Sequence, residues 1–208
     1  FYFQLFFSYK ILKKFTNSNS FSFIGSIFFL LAPIFIFRMN WHASVSAQWL
    51  LLFTLYLSLT TKPQESKFLW FFLIIISSLI LYNFTLIILV VYSLLRLFEL
   101  KFNKYSFYSL LKDFFIIAPL LLLILYAVGY FEIRMGDTLA VGFGLHKLNL
   151  LSIIDPVNTA NNISWSWFLP DIQLSKEEEL EGFNYLGLGQ LIMLLFALVL
   201  ILNKKFNT

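Results

Sequence analysis

The chain has 208 residues, of which 60% are hydrophobic and only 12% charged, and its mean hydropathy is +0.82. Soluble domains carry about 25% charged residues, so this chain has too little polar surface to cover a water-soluble globule and reads as an all-α integral membrane protein. The net charge of +4 comes without a basic, aromatic-studded stripe, so no nucleic-acid partner is expected, and the absence of cysteine excludes disulfides and thiolate metal sites.

The chain opens on Phe1-Tyr2-Phe3, already inside an apolar run and with no initiator Met. Upstream spans are therefore expected, and the chain reads as a fragment. Residues 1–9 form the tail of a span stopped by Lys10, Lys13 and Lys14. Phe21–Phe37 is the next apolar run, with Pro33 as a candidate kink. After the polar break around Arg38 and His42, Ala43–Thr60 is a further span. Phe68–Phe98 is apolar throughout. As one helix it would be about 46 Å long, well beyond a hydrocarbon core of about 30 Å, so it divides at Tyr82-Asn83. In Glu99–Lys112, Lys101, Lys104 and Lys112 share an arc of roughly 80°, the pattern of a helix lying in the interface. Phe114–Phe131 and Tyr185–Leu202 complete about seven transmembrane or half-membrane helices.

The polar interval from Glu132 to Asn184 is the exception in this apolar chain. It is expected to be a long loop with little regular structure, tethered at both ends. The organisation is thus a helical region over 1–131, a loop or cap over 132–184, and a last span with a short tail over 185–208. With this alternation, one side receives eleven of the 15 Lys and Arg residues, among them Lys62, Lys67, Arg96 and Lys101. The other receives four, namely Arg38, Arg134, Lys147 and Lys176. Positive charge marks the cytoplasmic side, so the interval is expected outside and the C-terminus inside.

Several residues could carry chemistry. Arg38 and His42, four apart at an outer turn, can present two donors to a lipid phosphate. Equally, Arg38 can snorkel to the headgroups while His42 caps a helix. Gln48, inside its expected span, needs a polar partner, and an interhelical hydrogen bond is the simplest. Of the outer carboxylates, Asp155 precedes Pro156 at a turn, where Asp serves the backbone. Glu181 is held at the entry to the last span, where it could act as a base. Glu177–Glu179 read as a solvated face. Gly187 and Gly189 suit close packing of the last helix. Ionisable residues are nearly absent from the clear spans, which counts against ion-coupled transport.

Two stretches resemble the signatures of an uncharacterised bacterial multi-pass family placed near the membrane glycosyltransferases of the GT-C type. One runs from Gly142-Phe143-Gly144 through Asn149-Leu150-Leu151-Ser152 to Asp155-Pro156. The other is Glu181-Gly182-Phe183-Asn184-Tyr185 through Gly189. The turn with Arg38, His42 and Gln48-Trp49 resembles a third, in which a second histidine is expected where Gln48 stands. The resemblance spans about Pro33 to Leu191. It implies a bacterial plasma-membrane protein that transfers a sugar, on the outer face, from a polyprenyl-phosphate donor. Arg38, His42, Gln48, Asn149, Asn184 and Tyr185 would then bind substrate, with Asp155 or Glu181 as candidate bases. It also implies a divalent metal held by an acid in a first outer loop, upstream of Phe1. No metal ligands are identified within the chain. The expected partners are membrane lipids and the lipid-linked donor. The alternative reading is a transporter or flippase for a lipid-linked or polymeric substrate, with a broken helix at Tyr82-Asn83 lining the path.

Overall fold

The computed structural model describes residues 1–41, 43–103, 106–132, 150–158, 163–172 and 184–206. The regular structure among the described residues is α-helical, apart from one 3-10 turn and an antiparallel ladder of two-residue strands. Two compact units divide the chain: Phe1–Leu30 with Arg38–Thr138, and Leu31–Phe37 with Leu139–Thr208.

The first unit holds α1 (Tyr2–Phe15), α2 (Asn19–Leu30), α4 (Trp49–Thr60), α5 (Lys67–Ile80), α6 (Tyr82–Asn103) and α7 (Phe107–Ala127). Helix α3 (Pro33–Trp41) runs from the second unit into the first. Lys13 and Lys14 occupy the last turn of α1, where cations complement exposed carbonyls. Ser18 then starts α2 by accepting the Phe21 amide at 3.2 Å. Phe7 of α1 stacks on Phe53 of α4 with ring centroids 4.4 Å apart, and Phe3 lies 4.9 Å from Trp49. Leu50, Leu57, Trp70, Leu73, Ile74, Ile88 and Tyr92 form the centre of the core shared by α4, α5 and α6, and Ile117 adds α7 to it.

The long apolar run breaks at Leu81, which is extended (φ −158°, ψ 116°), one residue before the step at which the sequence reading divides it. Trp70 meets Tyr92 and the Ser77 hydroxyl meets that of Thr85 at 3.0 Å, so α5 and α6 fold back on each other as an antiparallel hairpin.

Three sequence expectations change. First, α6 and α7 are the two helices long and apolar enough to cross a membrane, and a bent pair, Asn19–Leu30 with Pro33–Asn40, raises the count to three rather than about seven. The chain breaks short of Pro33, which becomes the first residue of α3. There its missing N–H costs nothing. Second, the interfacial helix over 99–112 is absent. Residues up to Asn103 complete α6, and Ser106 caps α7 by accepting the Tyr108 amide. Of the lysine arc, Lys101 lies in the last turn of α6 and Lys112 early in α7, while Lys104 lies outside the described residues. Third, α4 begins at Trp49, so Gln48 sits at its N-cap rather than inside a span.

The second unit contains the start of α3, the 3-10 turn Leu150–Ile153, the ladder of β1 (Val157–Asn158) with β2 (Ile163–Ser164), and α8 (Leu188–Phe206). The Leu186 amide donates to the Ile153 carbonyl at 3.2 Å, tying the turn to the entry of α8. Phe37 and Tyr185 form the core of this unit, with Trp165, Leu169 and Leu191 packed around them. Gly187 has φ +94°, and a Cβ there would lie 3.2 Å from Pro33 Cδ, so glycine serves both the turn and the close approach. Gly189 has nothing within 4 Å of that position.

Candidate functional site

In the second unit, Asp155 follows the 3-10 turn and is buried. Its Oδ1 accepts the Val157 amide at 3.1 Å, the local turn bond that an Asp before Pro invites. Its Oδ2 is buried and has no hydrogen-bond partner among the described residues. Tyr185 is buried too, and its hydroxyl is likewise without a partner among them. Both residues flank the Leu186–Ile153 backbone bond, one on each strand of chain that it joins. A buried polar atom without a partner is rare and asks for an explanation.

Of the other expected site residues, Arg38 is half-buried in the last turn of α3, and Asn184 is half-buried just before Tyr185. Gln48, at the α4 N-cap, is half-buried and makes no side-chain capping bond. His42, Asn149 and Glu181 lie outside the described residues, as do His146 and Glu177–Glu179. The structure thus brings Asp155, Asn184 and Tyr185 together through the Leu186 bond. It sets Gln48 on another element.

Sequence reasoning missed a second polar cluster, in the first unit. Asp113 of α7 accepts Lys67 Nζ on Oδ1 at 2.7 Å, and on Oδ2 both the Tyr92 hydroxyl at 2.9 Å and Arg96 Nε at 3.1 Å. Arg96 Nη1 donates to Glu99 Oε2 at 2.7 Å and Nη2 to Ser109 Oγ at 2.9 Å, while Glu99 Oε1 accepts the Gln64 amide at 3.3 Å. Arg96, Glu99 and Asp113 are buried, and Lys67 is mostly so. Two cations offset two carboxylates, and every carboxylate oxygen has a donor. Such a network, with each carboxylate oxygen satisfied, holds helices in register. It also removes the premise that the spans lack ionisable residues, since Arg96 and Asp113 both lie in candidate spans. The signal was present in the sequence: Tyr92, Arg96 and Glu99 at i, i+4 and i+7, with Ser109 and Asp113 four apart, put polar groups on single faces of apolar helices. An open cleft of about 270 Å³ adjoins the network, lined by apolar side chains together with Tyr92, Ser93 and Asp113.

Among the described residues no group of three or more His, Cys, Asp or Glu side chains could hold a metal ion.

Over residues 1–208 the chain matches the family described as Domain of unknown function (DUF6311), and it belongs to that family. No curated protein matches it. No solved structure matches it either.

Proposed function

We propose, with membership of a family of unassigned activity as the premise, that this chain is part of a membrane-embedded, glycosyltransferase-like protein. In this reading it moves a sugar from a lipid-phosphate donor to an acceptor on the outer face of a bacterial plasma membrane. The buried Oδ2 of Asp155, without a partner among the described residues, carries the reading. The carboxylate takes the proton of an acceptor hydroxyl as that oxygen attacks the anomeric carbon. The bond from that carbon to the donor phosphate breaks, and the lipid phosphate leaves. The sequence offers Arg38 and His42 as donors to a phosphate, because a bidentate or paired cation suits that anion. Membrane embedding is supported by α6 and α7, both 21 residues or longer, and by exposed apolar side chains such as Leu86, Val90, Leu94, Phe114, Phe115 and Leu123 along them.

The test is reconstitution of the full-length protein in vesicles with polyprenyl-phosphate sugars. Asp155→Asn keeps the oxygen that accepts the Val157 amide while removing the base. It is expected to lower donor consumption by about a hundredfold or more. Equal consumption by wild type and Asp155→Asn would remove Asp155 from the mechanism.

The buried charges of α6 and α7 favour a second reading, a transporter or flippase, since such residues often line substrate paths. Labelled lipid crossing the bilayer without donor consumption, and its loss in Asp113→Asn, would select that reading.

A further inference from the structure

The outer segment after β2 reads Trp165-Ser166-Trp167-Phe168-Leu169, and its apolar side chains part in two directions. Trp165 and Leu169 pack on the core of Phe37 and Tyr185. Trp167 and Phe168 between them are 97% and 80% exposed. Local bonds hold this arrangement: the Phe168 amide donates to Ser166 Oγ at 3.2 Å, and Ser164 Oγ donates to the Ser166 carbonyl at 2.9 Å. The two rings are thus presented by a braced loop, with their neighbours pinned inward.

From this geometry we infer that the Trp167–Phe168 tip is a membrane anchor that inserts into the headgroup region of the outer leaflet. Its position favours a lipid occupant. Leu188, the first residue of α8, lines the same shallow recess as Trp167 and Phe168. From there α8 continues with exposed Ile192, Met193, Leu195, Phe196 and Val199. The first turn of an apolar helix marks the level at which it enters the bilayer, and Trp is the side chain that settles at that level. A sugar stacked on Trp167 would need polar groups around the ring. Among the described residues, the hydroxyls that line the recess, those of Ser164 and Ser166, are engaged within the loop. The anchor would hold the cap down on the membrane beside the buried Asp155, and it rests on the membrane-embedded reading above.

The chain has no cysteine, and any cysteine elsewhere in the full-length protein is replaced by serine, so single labels are clean. Trp167→Cys, Phe168→Cys and, as a water-facing reference, Glu65→Cys are each introduced into the full-length protein and tagged with a nitroxide. The proteins are reconstituted in phosphatidylcholine vesicles containing one part in three phosphatidylglycerol. Accessibility to oxygen relative to a soluble nickel chelate should be several-fold higher at 167 and 168 than at 65. A protein that floats with the vesicles yet gives the same ratio at all three positions overturns the anchor and leaves the membrane reading standing. A protein that fails to float overturns both. Protection of the label by added oligosaccharide, with no lipid exposure, would make the tip a sugar platform and also overturn the anchor.

Discussion

Asp113 shows how much a single side chain can hold in this chain. It joins Lys67 of α5, Tyr92 and Arg96 of α6, and its own helix. Taking charges out of water is costly, and the cost is recovered only while every partner stays in place. Asp113→Asn leaves the buried Arg96 with Glu99 alone and Lys67 without its carboxylate, two cations facing one acid, and is expected to destabilise the protein by about 3 kcal/mol. Replacing Arg96, Glu99 and Asp113 together by apolar residues of similar volume should cost far less. Denaturant titration of the three proteins in detergent checks both statements, and equal losses would refute the network account. The sequence reading placed Lys67 and Arg96 on one side of the membrane and left it at that. Their pairing depends on three helices meeting, which no local pattern specifies, although the 92–96–99 spacing was legible. At Asp155 the turn role was legible from the Pro that follows it. The partnerless oxygen was not, because it depends on burial by chain distant in sequence.

At the level of elements, the hairpin of α5 and α6 is the feature the sequence revealed best, since a run of 31 apolar residues is too long for one span. Were 68–98 a single helix, Ser77 and Thr85 would be about 12 Å apart along its axis. Folded back, their hydroxyls are 3.0 Å apart. The Ser77→Cys/Thr85→Cys pair is expected to form a disulfide readily under mild oxidation, seen as loss of both thiols by mass after alkylation. Two free thiols would restore the single helix. The segment 99–112 was misread because periodicity does not see a stop. Lys101 belongs to the end of one helix and Lys112 to the start of the next, and the Ser106 cap that starts the second is a single residue. The start of α8 turns on Gly187, whose left-handed φ and closeness to Pro33 both disfavour a side chain. Gly187→Ala should cost about 1–2 kcal/mol, whereas Gly189→Ala, with open space around it, should be neutral or slightly stabilising. Melting of the two variants separates the sites, and equal shifts would contradict the packing role of Gly187.

Over the whole molecule, composition alone conveyed the helical and apolar character, because apolar faces too large to hide in water appear directly in residue counts. The number of crossings was less legible. Apolar runs lengthen when broken helices such as α2–α3 and α5–α6 are read through, and only the backbone shows that α4 and α5 have 12 and 14 residues. The account therefore rests on α6 and α7 crossing the bilayer. Within the first unit, the Gln64 amide meets Glu99 near the C-terminal end of α6, and Tyr82 at its other end lies 5.5 Å from Tyr130. The turn around Glu65 and the exit past Tyr130 thus occupy opposite ends of a helix about 33 Å long. Glu65 and Glu132 are both exposed. The most direct measurement is labelling of Glu65→Cys and Glu132→Cys in intact cells by a membrane-impermeant maleimide. The account predicts that Cys at 132 reacts at once and Cys at 65 only after the membrane is opened. Reaction of both from the same side would contradict it.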